Sequence, residues 1–157
     1  MAGGLGQETQ TMILLLDTHI LWRYMEGDTT LPQTICQAIN TAVREYRVYV
    51  SAQSAWELGM LEAKGRLQFT NGAESWIRQA VALPGVHVKS VTMRIAYEST
   101  RLPGTIHGDP SDRVLIATAR YMGWTLVTAD DAILTYASDG HLSVLDARPK
   151  RRPRRSR

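Results

Sequence analysis

The stretch that decides the fold lies near the start of the chain and reads Met12-Ile13-Leu14-Leu15-Leu16-Asp17-Thr18-His19. Five apolar residues in a row are typical of a strand buried on both faces, as in a parallel sheet. Asp17 follows directly, where the strand ends and a helix begins. Open α/β sheets bind ligands at the carboxyl ends of their strands, so this acid is either a helix cap or a ligand for something in the crevice.

Strand-like and helix-like segments alternate along the rest of the chain. This predicts an α/β fold, a three-layer α/β/α sandwich on a mostly parallel sheet of about five strands. Helices are expected between the strands, and the strongest of them opens at Asp109-Pro110 and ends at Gly123. The predicted strands are residues 12–16, 47–50, 86–88, 125–127 and 142–145, and further helices include residues 20–26, 73–83, 91–101 and 131–136.

Length and composition indicate an ordinary globular protein. A chain of 157 residues allows one domain with a real core. The single cysteine, Cys36, excludes an internal disulfide framework and a thiolate zinc cluster. No apolar run approaches the roughly 18 residues of a membrane span, and the start lacks the basic region of a signal peptide. We therefore expect a cytoplasmic protein with no membrane contact.

The charge is unevenly distributed. Residues 148–157 hold seven of the 18 basic residues and no acidic one, which leaves eleven basic against fifteen acidic residues, a charge of −4, on the rest. We expect a disordered glycine-rich extension over residues 1–11, one domain over residues 12–147 and a disordered basic tail over residues 148–157. The tail is either a nucleic-acid contact, through counterion release, or a solvated end.

Three more acids occupy positions like that of Asp17. Glu57 lies near the start of the helix after the second strand, Asp112 in the first turn of the helix at Asp109, and Asp130 directly after the fourth strand. Each has a structural explanation on its own, because acids cap helices and favour their first turn. We assign Asp109 to capping and Asp112 to a site.

A similar division applies to the adjacent acids Asp130 and Asp131, where Asp131 can cap the short helix and leave Asp130 for chemistry. Four carboxylates at one edge of a sheet repel each other unless a hard cation neutralises them. Oxygen ligands without cysteine suit Mg²⁺ or Mn²⁺, ions that activate water. Thr128 either holds such a water by its hydroxyl or is an ordinary β-branched strand residue.

Four blocks of the sequence together closely resemble the PIN-domain ribonucleases, specifically the VapC-type toxins of bacterial type II toxin–antitoxin pairs. The resemblance covers roughly residues 12–147, and the third block is the most specific. The blocks are Leu14-Leu15-Leu16-Asp17-Thr18-His19, Val50 to Leu58 with Trp56-Glu57, His107-Gly108-Asp109-Pro110-Ser111-Asp112 running on to Ala119, and Leu126-Val127-Thr128-Ala129-Asp130.

The resemblance implies a Mg²⁺- or Mn²⁺-dependent endoribonuclease in which metal-activated water attacks an RNA phosphodiester, giving a 5′-phosphate and a 3′-hydroxyl. It places Asp17, Glu57, Asp112 and Asp130 on the family's acidic positions and Thr128 on a hydroxyl position that assists the site. It also implies a homodimer neutralised by a small VapB-type antitoxin, whose C-terminal segment fills the groove near the acids. Residues 1–11 and 148–157 inherit no role from it.

Other side chains near these acids have open roles. His19 and His107 either orient the acids, contact substrate or bind metal. Arg113 either meets phosphate or pairs with a neighbouring acid. Because the body is acidic, positive charge for RNA must come from Arg23, Arg66 and Arg113 or from the basic tail.

Three other functions are weighed against the nuclease. A signalling receiver domain needs two adjacent acids after the first strand and a lysine after the last, and a haloacid-type phosphatase needs a second aspartate near Asp17; neither pattern is present. The third is a catalytically weak PIN-like module that binds RNA or a protein partner. Retention of all four acids argues against that module.

Overall fold

Five strands form one fully parallel sheet in the computed structural model, which describes residues 12–106 and 108–150. Residues 1–11, His107 and residues 151–157 lie outside the described residues, and with them the predicted N-terminal extension and most of the predicted tail. The strands are β1 (Leu14–Leu16), β2 (Val48–Ser51), β3 (Val86–Lys89), β4 (Thr125–Thr128) and β5 (Val144–Asp146). They pair in the order β3-β2-β1-β4-β5, and every neighbouring pair is parallel.

Helices connect the strands and cover both faces of the sheet. They are α1 (Thr18–Glu26), α2 (Gln33–Arg44), α3 (Ala52–Ala63), α4 (Gly72–Ala82), α5 (Met93–Ser99), α6 (Pro110–Met122) and α7 (Asp131–Ser138). Among the described residues, no helix is both long enough and apolar enough to cross a bilayer. The α/β/α sandwich predicted from the sequence is confirmed.

The consecutive leucines of β1 join the two layers of the core. Successive side chains of a strand point to opposite faces, so Leu14 and Leu16 pack in the cluster on the α1 and α2 side of the sheet. Leu15, which is fully buried, packs with residues of α6 and α7 on the other face. An unbroken apolar run is therefore what this central strand requires, and truncating such a side chain to alanine costs about 2–5 kcal/mol.

The strand order places a crevice at the carboxyl ends of β1 and β4. From β1 the chain proceeds to β2 and β3 on one side, and β4 and β5 are added on the other side. This reversal between β1 and β4 is the point where open α/β sheets bind ligands. The register pairs Leu16 with Val127, so the residues that follow, Asp17 and Thr128, emerge next to each other.

Most elements differ from the sequence prediction by one or two residues at an end, and two of these differences have a cause in the structure. The helix predicted over residues 91–101 is the shorter α5, because the Thr92 hydroxyl accepts a hydrogen bond from the Ile95 amide and so begins the helix later. The last strand is predicted at residues 142–145 but is formed by Val144–Asp146. Its bounds follow from pairing with β4, in which Thr128 lies opposite Asp146.

Candidate active site

Asp17 lies at the switch point, at the end of β1, with 5% of its surface exposed. It occupies the N-cap position of α1, yet its side chain makes no capping hydrogen bond. The carboxylate instead accepts a hydrogen bond of 2.7 Å from the Thr128 hydroxyl at the end of β4. Of the two roles that the sequence leaves open for Asp17, the structure therefore does not support side-chain capping.

Thr128 links the ends of β1 and β4. Its hydroxyl donates to Asp17 Oδ2 and accepts a hydrogen bond of 3.1 Å from the backbone N–H of Asp130. The side chain is completely buried. Because the one hydroxyl proton is committed to Asp17, Thr128 positions this carboxylate, a role that neither of the two sequence interpretations included.

Glu57 approaches the same edge from α3, with its side chain 16% exposed. Its Oε2 accepts a hydrogen bond of 3.1 Å from the Ser111 hydroxyl, near the N-terminus of α6. Its Oε1 lies 3.7 Å from Nε2 of His19, whose side chain is 57% exposed. His19 therefore stands at the solvent side of the acids, within Coulombic reach of Glu57 but beyond a hydrogen bond.

Asp109 caps the start of α6, as the sequence predicts. Asp109 is the N-cap residue, and its Oδ1 accepts a hydrogen bond of 2.9 Å from the Ser111 amide, with Pro110 in the first turn. Asp112 is half-buried in that first turn. The local cap is thus supplied by Asp109, which leaves the Asp112 carboxylate for the crevice.

The division predicted for Asp130 and Asp131 is wrong. Asp130 is the N-cap residue of α7, and its Oδ1 accepts a hydrogen bond of 3.0 Å from the Ile133 amide. Asp131 instead accepts a hydrogen bond of 3.1 Å from the Arg148 guanidinium. The cap falls on the first acid because α7 begins immediately after it, so Asp130 must combine capping with any role at the site.

The electrostatics show that the four acids share one environment. The pKa of the Asp112 carboxyl is raised to about 7, first by desolvation and then by the negative charges of Asp17, Asp130, Asp109 and Glu57. Burial also raises the pKa of Asp17, and Glu57 acts in the same direction, whereas the Thr128 hydrogen bond and His19 lower it. Four elements distant in sequence thus bring mutually repelling carboxylates together.

Apart from Thr128, the hydroxyl groups beside these acids have no predicted role in the site. Ser111 supports Glu57, and a buried pair formed by Thr18 and Ser54 joins the starts of α1 and α3 with 2.8 Å between their hydroxyl oxygens. Each of these residues is close in sequence to one of the acids. That closeness is a weak signal, because serine and threonine are common at helix starts for capping alone.

The three basic residues predicted to contact RNA lie on or next to different helices. Arg113 donates from Nε to the Ser99 carbonyl at 2.9 Å and from NH1 to the Ile106 carbonyl at 3.3 Å. Within the part of the chain that the structure describes, Arg113 pairs with no acid. Two of the five N–H groups of its guanidinium donate to backbone carbonyls, and its predicted contact with phosphate stays a prediction. Arg66 is exposed beyond the end of α3, and Arg23 lines a separate cavity beside α1.

The donor set fits a hard divalent cation in its chemistry and charge. The groups that meet are carboxylates, which such cations prefer, and the raised pKa of Asp112 shows a local excess of negative charge. Among residues 12–106 and 108–150, no three Asp, Glu, His or Cys side chains are already gathered as a ligand group.

Comparisons with known proteins give one family and one fold. A family model described as PIN domain matches residues 14–138. Ribonuclease VapC22 of Mycobacterium tuberculosis is 34% identical over 119 residues, which cover 74% of this chain and 86% of that protein.

Two solved structures share the fold at low identity. The VapBC2 complex from Rickettsia felis, bound to a promoter DNA fragment, matches with a TM-score of 0.64 at 15% identity, over 86% of this chain and 98% of that chain. FitAcB from Neisseria gonorrhoeae matches with a TM-score of 0.58 at 19% identity, over 85% of this chain and 97% of that one. At these identities the two matches are evidence for the fold alone.

Proposed function

This chain belongs to the PIN domain family, and on that premise we propose that it is a metal-dependent endoribonuclease and the toxic component of a type II toxin–antitoxin pair. The family assignment made from the four sequence blocks is confirmed. The observation that carries the proposal is the convergence of Asp17, Glu57, Asp112 and Asp130 at the switch point, where desolvation and then the charges of the neighbouring acids raise the pKa of Asp112. The relative that is 34% identical is named as a ribonuclease.

The cation in this proposal is Mg²⁺ or Mn²⁺. Asp17, Asp112, Glu57 and Asp130 are the residues that would hold it, because they supply oxygen donors and an excess of negative charge. When bound, such an ion supplies Lewis acidity, which lowers the pKa of a water molecule and stabilises the charge of the phosphoryl transition state. Proton-bearing ligands bind cations poorly, so Asp112 would hold the ion in its ionised form.

The other residues act on the acids or at the entrance to the crevice. Thr128 keeps one Asp17 oxygen directed to the end of β4, and Ser111 holds one oxygen of Glu57. His19 is exposed beside Glu57 and is available to a phosphate or base of the RNA. Since the reacting groups lie on several elements of the sheet edge, the fixed backbone supplies the orientation that a hydrolase requires.

We also propose a VapB-type antitoxin as the protein partner and a homodimer as the assembly. The solved structures that share the fold include VapBC complexes. A crevice lined by carboxylates attracts a basic segment of a partner protein. An arginine of that segment would compete with the cation for the same carboxylate oxygens.

The test is cleavage of total RNA by the purified, antitoxin-free chain, with Mn²⁺ or Mg²⁺ and with a chelator. The proposal predicts discrete products that require metal and that disappear in Asp112→Asn and Asp17→Asn. A matched control is Asp139→Asn, which removes one exposed acid at the far end of α7 and should cleave normally.

Binding measurements keep the test decisive when no products are seen. Mn²⁺ binding followed by calorimetry should require Asp17 and Asp112 and be unaffected in Asp139→Asn. A folded chain that binds the metal and RNA but cleaves none of a broad RNA pool would instead support the PIN-like binding module.

A further inference from the structure

Two buried hydroxyl groups, called here the hydroxyl pair, lie between the helix starts that carry Asp17 and Glu57. Thr18 is the first residue of α1, and its side-chain oxygen lies 2.8 Å from that of Ser54, near the start of α3. Thr18 is completely buried and Ser54 is 1% exposed, so solvent does not compete for this hydrogen bond. The pair therefore connects α1 to α3 where both helices leave the carboxyl ends of their strands.

Helix capping does not explain the hydroxyl pair. The cap of α3 is Ser51, whose hydroxyl accepts a hydrogen bond of 3.0 Å from the Gln53 amide. Ser54 lies inside that helix, and Thr18 lies inside α1, after its N-cap residue Asp17. Packing does not require hydroxyls either, because apolar groups of the same shape would fill the space without the cost of burying polar atoms. The explanation must therefore involve the residues beside the pair.

Each hydroxyl lies within one helical turn of an acid of the candidate site. Thr18 directly follows Asp17, and a backbone hydrogen bond from Thr18 is among the causes that lower the pKa of that carboxyl. Ser54 precedes Glu57 by three residues in α3, so their side chains are neighbours on the helix surface. The hydroxyl pair thus couples the position of one acid to the position of the other.

The other contacts of these two acids lead away from each other. Thr128 donates to Asp17 and joins it to β4, whereas Ser111 donates to Glu57 and joins it to α6. The charge of Glu57 raises the pKa of Asp17, so the two carboxylates are close enough to repel each other. Within the part of the chain that the structure describes, the hydroxyl pair is the one hydrogen bond between side chains of α1 and α3.

The spacing of the carboxylates decides how well they bind a cation. Mg²⁺ requires near-octahedral geometry, with oxygens at about 2.0–2.1 Å, and a site must be held to within about 0.5 Å of its productive geometry. Repulsion between Asp17 and Glu57 decreases as the two helix starts separate, so the metal-free protein is driven toward a wider site. A hydrogen bond between the two helices opposes that separation.

We propose that Thr18 and Ser54 are positioning residues, whose hydrogen bond sets the distance between the Asp17 and Glu57 carboxylates for the cation. The inference rests on the proposed metal-dependent function and adds two residues on which the affinity of that site depends. The hydroxyl pair acts through the acids and contacts neither the metal nor the RNA. Its loss should therefore change the metal concentration that cleavage requires more than the rate at saturating metal.

The test removes the hydrogen bond while the space stays filled. In Thr18→Val/Ser54→Ala, apolar groups replace both partners and no unpaired hydroxyl is left, so the urea midpoint should stay near that of the unmodified chain. Mn²⁺ affinity measured by calorimetry should fall by about 2- to 12-fold, the range of one neutral hydrogen bond. The Mn²⁺ concentration that gives half-maximal cleavage should increase by the same factor.

A conservative variant should show the opposite pattern. Thr18→Ser retains the hydroxyl and removes a buried methyl group, so it should lower the urea midpoint and keep the Mn²⁺ affinity. The matched control is Thr125→Val/Ser143→Ala, which removes a second hydroxyl pair, with 3.0 Å between its oxygens, at the opposite edge of the sheet. This control should leave Mn²⁺ binding unchanged.

The outcomes separate the positioning role from the proposed function. Unchanged Mn²⁺ affinity in a folded Thr18→Val/Ser54→Ala protein overturns the positioning role and leaves the ribonuclease. Weaker Mn²⁺ binding in Thr18→Ser also overturns it, because packing would then control the site.

The calorimetric comparison does not depend on cleavage. If the unmodified chain binds Mn²⁺ but cleaves no RNA, a weaker affinity in the double variant supports the positioning role and counts against the ribonuclease alone. A chain that binds no Mn²⁺ overturns both. If the double variant does not fold, Ser54→Ala takes its place, and an unchanged Mn²⁺ affinity in that protein overturns the proposal.

Discussion

The Thr128 hydroxyl donates its proton to Asp17 Oδ2 at 2.7 Å, between the ends of the adjacent strands β4 and β1. Both side chains are buried, so water does not compete for this bond. The bond lowers the pKa of Asp17, while burial raises it. Thr128 therefore determines both where this carboxylate points and how readily it carries the charge that a cation requires.

We expect Thr128→Val to impair metal binding and cleavage together. A hydrogen bond to a charged group contributes about 1.5–3 kcal/mol, which corresponds to a factor of roughly 10 to 150 in cation affinity. Without the bond, the pKa of Asp17 is raised further, so the pH at which activity appears should move upward. Pre-steady-state cleavage against pH and Mn²⁺ titration would measure both effects.

The conservative control is Thr128→Ser, which retains the hydroxyl and should recover most of the affinity and the original pH profile. A Thr128→Val protein that stays folded and has an unchanged pH profile would contradict the positioning role.

The metal-free protein should lose stability as the pH rises. Asp112 has a pKa raised from 3.8 to about 7, so the folded state binds more protons than the unfolded chain between these values. A raised folded pKa contributes stability that is fully present below the unfolded value and is lost as the pH rises through the folded value. The urea midpoint in chelator should therefore decrease from about pH 5 to about pH 8.

Asp112→Asn should flatten this dependence, with a residual slope from Asp17, whose pKa is raised in the same direction. Asp139→Asn should keep the full slope. Mn²⁺ should stabilise the unmodified chain more strongly as the pH increases, because the cation then displaces fewer protons. An Asp112→Asn protein with the full slope would show that another group is responsible.

The placement of the four acids could be predicted because it depends on the order of elements. Asp17 and Asp130 follow strands, Glu57 follows β2 within the next helix, and the parallel sheet brings these ends to one edge. The unbroken apolar run of β1 and the proline at the start of α6 are local signals of high specificity. Local sequence patterns of this kind are sufficient to predict which helices and strands form and in what order they follow along the chain.

The side-chain partners could not be predicted, because they depend on distances between elements. Ser111 and Glu57 are 54 residues apart, and no pattern in either segment specifies that their side chains meet. Which of Asp130 and Asp131 caps α7 depends on the residue at which α7 begins. The sequence locates such a boundary only to within a residue or two. Arg113 bonds to one carbonyl at the end of α5 and to one in the connection before α6, and the sequence does not reveal the course of that connection.

Ser111→Ala should reduce activity without unfolding the protein. The change removes the hydrogen bond to Glu57 Oε2, a bond to a partly buried carboxylate, and retains the Ser111 amide that Asp109 uses for capping. We expect kcat/KM to fall by roughly 10-fold, the lower end of the range for a bond to a charged group, because the Glu57 side chain is partly exposed. The thermal midpoint should change by less than about 4 °C.

Ser138→Ala is the matched control, since the Ser138 hydroxyl bonds only locally to the Thr135 carbonyl near the end of α7. It should cleave like the unmodified chain. Equal rates for Ser111→Ala and Ser138→Ala would remove Ser111 from the support of the site.

Arg113→Gln should affect stability rather than RNA affinity. The Arg113 guanidinium joins the end of α5 to the connection before α6 by bonds to the carbonyls of Ser99 and Ile106. Its aliphatic part packs so closely on Gly108 that an added Cβ there would lie 2.6 Å from Arg113 Cγ. Removing a charged donor from buried carbonyls costs about 1.5–3 kcal/mol, which chemical denaturation would show as a lower midpoint.

RNA binding measured in the Asp112→Asn background distinguishes this structural role from binding of phosphate. If Arg113 bound a phosphate of the RNA, its replacement would reduce the salt slope by about 0.7, whereas a structural arginine leaves the slope unchanged once the protein is folded. We expect the unchanged slope, because the guanidinium is committed to the backbone. A smaller slope with normal stability would return Arg113 to the RNA surface that its position in the sequence suggests.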